Sequence, residues 1–129
     1  MTNLYDIRML VLVLRTPGEP VTVELTSGTA ALIGRAPNPR LLPNPAAAAL
    51  QGVPLRQVIV PLDQISGNHL AVLARDTDVL LWDLGSRNGS ALSLGAGQTV
   101  TLSAGQASTQ VVTVDLAAQG KLAGGPSRP

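Results

Sequence analysis

Short apolar runs, broken at regular intervals by Gly, Pro, Asn, Asp and Ser, recur along the whole 129-residue chain. Ile7 to Leu14 is nearly continuous in β-forming residues and stops at Thr16-Pro17-Gly18-Glu19-Pro20. Val21-Thr22-Val23-Glu24-Leu25 alternates, which predicts a strand with one buried and one wet face. Further strands are predicted at Ala30 to Ile33, Gln57 to Val60, His69 to Ala74, Val79 to Trp82, Thr99 to Leu102 and Gln110 to Leu116. A recurrence of roughly ten residues with turn signals between is the pattern of an all-β sandwich or barrel.

One segment breaks the rhythm. Residues 36–56 hold five prolines and the run Ala46 to Ala49. Two readings stand there: a short helix through Ala46 to Leu50 introduced by Pro43-Asn44-Pro45, or a loose insertion. Residues 117–129, ending Gly124-Gly125-Pro126-Ser127-Arg128-Pro129, carry the composition of a linker or disordered tail. Residues 1–116 then form the expected domain, one module of a longer protein if the tail is a linker.

Composition narrows the chemistry. The chain has no Cys, which excludes thiol nucleophiles, disulfides and thiolate metal sites, and a single histidine, His69, which leaves no spare imidazole for a zinc site or a triad. Phe is absent and aromatics make up 2%, so base-stacking platforms are not expected. The formal net charge of +1 argues against an electrostatic nucleic-acid or membrane binder. The run Met9 to Leu14 is too short for a secretory or membrane-spanning segment, which makes a cytoplasmic location the default expectation. No cofactor is implied.

Three polar stretches fall at the ends of apolar strands: Ile33-Gly34-Arg35-Ala36, Ile65-Ser66-Gly67-Asn68-His69 and Asp83-Leu84-Gly85-Ser86-Arg87-Asn88-Gly89-Ser90. Gathered on one rim, their guanidinia, hydroxyls, amides and glycine-flanked backbone N–H groups make the inventory of a phosphate receptor. A phosphate-cradling P-loop, metal-ligand spacing and a nucleophile elbow are all missing, so catalysis is not expected.

In their order these stretches resemble the forkhead-associated (FHA) family, phosphothreonine-binding β-sandwiches, with a longer stretch than that family's between Arg35 and Ser66. That pattern runs Gly-Arg, Ser-x-x-His, Asp-Leu-Gly-Ser-x-Asn-Gly-Thr and Leu-x-x-Gly-Asp/Gln-x-Ile/Val. It is matched by Gly34-Arg35, Ser66 to His69, Asp83 to Ser90 and Leu94 to Val100. The resemblance implies a two-sheet antiparallel sandwich without catalytic activity. It implies phosphate contacts from Arg35, Ser66 and Arg87, a grip on the ligand main chain from Asn88, and architectural roles for Gly34, His69, Asp83 and Gly89. The partners it implies are a phosphothreonine-containing protein or peptide and a Ser/Thr protein kinase.

Three departures bear on affinity. Gly67 stands where the family often has Arg or Asn, leaving only its backbone N–H for the phosphate. Asn68, one residue on, is expected to point elsewhere. Ser93-Leu94 replaces the usual hairpin residues. A phosphate-independent scaffold or oligomerisation module is the alternative reading.

Overall fold

A computed structural model describes residues 9–16, 18–75, 77–94 and 98–111. Two sheets face each other. The first has four strands in the order β2-β1-β7-β8, where β1 is Met9–Leu14, β2 Val21–Thr26, β7 Ser90–Leu94 and β8 Gln98–Leu102. The second has five in the order β4-β3-β5-β6-β9, with β3 Ala30–Gly34, β4 Leu55–Ile59, β5 Leu70–Ala74, β6 Asp78–Asp83 and β9 Ala107–Val111. The chain is thus the expected two-sheet sandwich.

Every strand pair is antiparallel except β3 and β4, which run parallel in the register Ala30↔Leu55 to Gly34↔Ile59. Parallel neighbours need a long crossover between them, and residues 35–54 supply it. The Pro/Ala-rich segment is therefore the crossover itself. It holds a 3-10 turn at Pro39–Leu41 and a short helix, α1, at Ala46–Ala49, so of the two readings the ordered helix is the one observed.

Aliphatic side chains fill the space between the sheets. Leu12, Leu14, Val23, Leu25, Leu92, Leu94 and Leu102 from the first meet Ala31, Ile33, Leu70, Val72, Val79 and Leu81 from the second. A second cluster lies on the outer face of the five-stranded sheet, where Ala46 and Leu50 cover Ala30, Leu32, Ala71, Leu73 and Trp82. Burial on both faces explains why β3 and β5 are apolar at successive positions rather than alternating.

Two strand limits and one whole strand depart most from expectation. β4 begins at Leu55 rather than Gln57, because Ala30 N–H bonds the Pro54 carbonyl at 2.9 Å and starts the ladder there. β7 was not among the predicted strands, although its buried positions Ser90, Leu92 and Leu94 do alternate. β9 begins at Ala107 rather than Gln110, since Trp82 of β6 pairs with Ala107 directly after the turn in which Gln106 N–H bonds Ser103 O. The predicted continuation to Leu116, and the tail, lie outside the described residues. Among the described residues no helix is long and apolar enough to cross a membrane.

Candidate functional site

β3, β4 and β6 end, and β5 and β7 begin, at one end of the sandwich, which brings the three polar stretches together. Gly34 sets the closest approach. A Cβ built there would stand 1.8 Å from the carbonyl oxygen of Gly67, so only hydrogen fits. Two rungs follow beside it: Arg35 N–H donates to Ser66 O at 2.9 Å and Ala36 N–H to Gly67 O at 3.2 Å. The start of the crossover is thereby fastened to the Ser66–Gly67 loop.

Ser66 is the meeting point. Its N–H donates to Nδ1 of His69 at 3.1 Å and its Oγ accepts the Arg87 N–H at 3.2 Å. Because Nδ1 of His69 is an acceptor, the ring proton sits on Nε2, which donates to the Gly89 carbonyl at 2.7 Å. His69 is buried and ties two loops together as a neutral imidazole. Among the described residues the hydroxyl proton of Ser66 has no protein acceptor, so it remains available to an incoming oxygen.

The other loop is organised by Asp83, which is only 4% exposed. Its Oδ1 accepts the backbone N–H groups of Gly85 (3.0 Å), Ser86 (2.8 Å) and Gly105 (3.0 Å). Its Oδ2 accepts the hydroxyls of Ser86 and Ser90, each at 2.6 Å. Burial pushes the carboxyl pKa up, but the Ser86 and Ser90 hydroxyls, with the Gly105 and Ser86 amides, outweigh it and hold the group below its ordinary value. Asp83 therefore stays ionised with no salt-bridge partner among the described residues, and its charge holds the loop from Gly85 to Ser90 in shape. Gly89 closes that loop at φ +76°, with its α-carbon facing the Leu102 carbonyl too closely for a side chain.

The rim built this way carries exposed donors. Arg35 points toward solvent, its guanidinium 3.9 Å from the fully exposed Asp63. A surface pair of that kind is worth about 0–1 kcal/mol, too little to hold the guanidinium against a phosphate. Arg87 is exposed and, among the described residues, its guanidinium has no partner. The Asn88 side-chain amide donates to the Gln64 carbonyl at 3.2 Å, and among the described residues its second N–H and its oxygen have no protein partner. Asn68 does not join this set. Its amide makes a reciprocal pair with the backbone of Asn38, accepting Asn38 N–H at 2.7 Å and donating to Asn38 O at 3.0 Å. It clamps the crossover instead.

Sequence reasoning missed Asn38, Gln64 and Gly105. Gln64 and Asn38 carry no local signal, since their part is played by backbone carbonyls and amides. Gly105, at φ +78°, sits in a turn whose link to Asp83 spans 22 positions.

No family model matches the chain, and no curated protein sequence matches it. Among solved structures the chain is similar to the FHA domain of CT664 protein from Chlamydia trachomatis, with 20% identity and a TM-score of 0.46, over 83% of this chain and 99% of that one.

Proposed function

We propose that the protein is a non-catalytic phosphopeptide-binding module that recognises phosphothreonine. The carrying observation is the state of Ser66. Three of its groups are spent in fixing the Arg35, His69 and Arg87 segments, while its hydroxyl proton is left for a ligand beside two exposed guanidinia. In this reading Arg35 forks onto two phosphate oxygens, and the Ser66 hydroxyl and the Gly67 N–H donate to the phosphate. Arg87 closes the shell, and Asn88 holds the ligand main chain in an extended form. The motif order resembling the FHA family supports the same assignment. The partners are then Ser/Thr kinase substrates, or a phosphorylated segment of a longer chain that contains this domain.

Titration calorimetry with one peptide in phosphothreonine, phosphoserine and unphosphorylated forms tests this. The phosphothreonine form binds tightest, and Arg35→Ala costs about 2–5 kcal/mol, as for the loss of one partner from a charge pair. Arg75, held by Asp78 in a bidentate pair at the opposite end, is the control, and its replacement leaves binding unchanged. Equal affinity for all three peptide forms sinks the proposal in favour of a phosphate-independent scaffold, the reading to which the bare Gly67 lends weight.

A further inference from the structure

The free edge of β4 runs straight into the proposed receptor. At its entrance Ala30 N–H donates to Pro54 O, and at its exit Val60 N–H donates to Gly34 O, both at 2.9 Å. In a parallel ladder these two bonds fix which residues face inward. Residues 54, 56, 58 and 60 turn their polar groups to β3, and Leu55, Gln57 and Ile59 turn theirs outward. Among the described residues no backbone bond from elsewhere reaches those outward groups.

Edge strands are usually blunted by charge, proline or a covering segment. The side chains on this edge do not guard it. Arg56 reaches across to the Glu24 carbonyl of the other sheet at 3.1 Å. Ile59 is 65% exposed, and Leu41 of the 3-10 turn 70%; they are the two exposed large hydrophobics among the described residues. The other edges expose polar residues, Thr22 and Glu24 on β2, Thr99 and Thr101 on β8 and Thr109 on β9, whereas β4 exposes Ile59 beside Arg56 and Gln57. Beside β4, a cavity of about 360 Å³ opens between Leu55 and Gln57 and the crossover residues Pro39, Leu42, Leu50 and Val53. An outward row of donors and acceptors next to a trough in which Leu42, Leu50, Val53 and Leu55 alternate with Gln51 and Gln57 is the geometry of strand addition.

We propose that a segment flanking the phosphorylated residue adds to this edge as an extra strand. Its outward-facing main chain pairs with Leu55, Gln57 and Ile59, and alternate apolar side chains enter the crossover cavity. The assignment rests on the phosphopeptide reading, which supplies the occupant. Ile59 lies opposite Gly34 and one residue from the Val60 rung, so a ligand anchored on Arg35 is delivered to the end of β4.

Amide hydrogen exchange and calorimetry on the full chain test it. The probes are a three-residue phosphothreonine peptide and the same peptide extended on either side by six residues alternating Val and Thr. Extension on one side tightens binding by about tenfold or more. It also slows exchange at the Leu55, Gln57 and Ile59 amides, which the short peptide leaves fast. N-methylation of alternate ligand amides abolishes the gain in one register and spares it in the other. Ile59→Lys reduces the gain without changing affinity for the short peptide. Phosphate-dependent binding of the short peptide with no gain on extension overturns the edge proposal alone. Loss of phosphate dependence overturns the receptor reading, and the exchange pattern with the extended peptide still decides the edge. Slowed exchange that grows with protein concentration in the absence of peptide assigns the edge to a second copy of the chain and overturns the proposal.

Discussion

The Oγ of Ser66 accepts the backbone N–H of Arg87 at 3.2 Å, joining two loops 21 positions apart at the point where both present donors to solvent. The bond takes a lone pair from the hydroxyl and leaves its proton. The same atom therefore organises the rim and offers itself to a ligand.

Ser66→Ala separates these two contributions. Leaving the partly exposed Arg87 N–H without its acceptor costs about 1 kcal/mol of stability. Losing a hydrogen bond to a charged phosphate costs about 1.5–3 kcal/mol of affinity, so binding falls further than folding. Chemical denaturation measures the first and titration with a phosphothreonine peptide the second.

Gly34 and Gly67 respond oppositely to a side chain although they touch. Gly34→Ala drives a Cβ into the Gly67 carbonyl and destabilises the fold by about 3 kcal/mol or more. At Gly67 a Cβ meets nothing within 4 Å, so Gly67→Arg is accommodated within about 0.5 kcal/mol. It also adds a guanidinium to the rim, and phosphopeptide affinity rises with a steeper dependence on salt. Melting curves together with titrations at two ionic strengths check the pair.

Asp83 ties stability to acid. Its folded-state pKa lies below the ordinary 3.8, so the stability it contributes is complete above that ordinary value and is lost as pH falls through the depressed one. Denaturation midpoints measured from pH 6 down to pH 2 show a loss beginning below about pH 4, and Asp83→Asn flattens that part of the curve. Asp83→Ala, which strands several buried donors at once, costs about 3 kcal/mol or more at neutral pH.

Trp82, 7% exposed and the only tryptophan of the chain, lies in the cluster beneath the crossover. Leu50→Ala removes the largest crossover side chain buried there and costs about 2–4 kcal/mol. Its emission shifts to longer wavelength as water reaches the indole, while the core between the sheets stays closed. Fluorescence alongside far-ultraviolet circular dichroism distinguishes this local loosening from unfolding.

Most of the sandwich was legible in the chain because strand and turn signals are local. Val21 to Leu25 shows its wet and dry faces by alternation alone. The parallel pairing of β4 was not legible. It depends on where the crossover delivers the chain, and Pro54 looks like a loop residue until its carbonyl is seen to start a ladder. β7 escaped because Ser90-Ala91-Leu92-Ser93-Leu94 is short and mixes small with polar residues. The rim stretches stood out through residue type, as Arg, Ser and Asn beside Gly. Their connections did not, since Asp83 binds Gly105, and Asn68 binds Asn38, across distances in sequence that no local pattern carries.

The pairing of β1 with β7 sets a folding order. Leu12 lies opposite Leu94, so the middle of the four-stranded sheet joins segments from near the two ends of the described chain. Contacts that distant close slowly, on the millisecond-to-second scale of β-rich domains. During synthesis β1 and β2 emerge first and pair with each other, and the inner edge of that hairpin must wait until β7 leaves the ribosome. The five-stranded sheet acquires its first four strands before β7 exists. The rim is therefore assembled from the far sheet inward, and the loop from Gly85 to Ser90 takes its final shape only when the last turn brings Gly105 to Asp83.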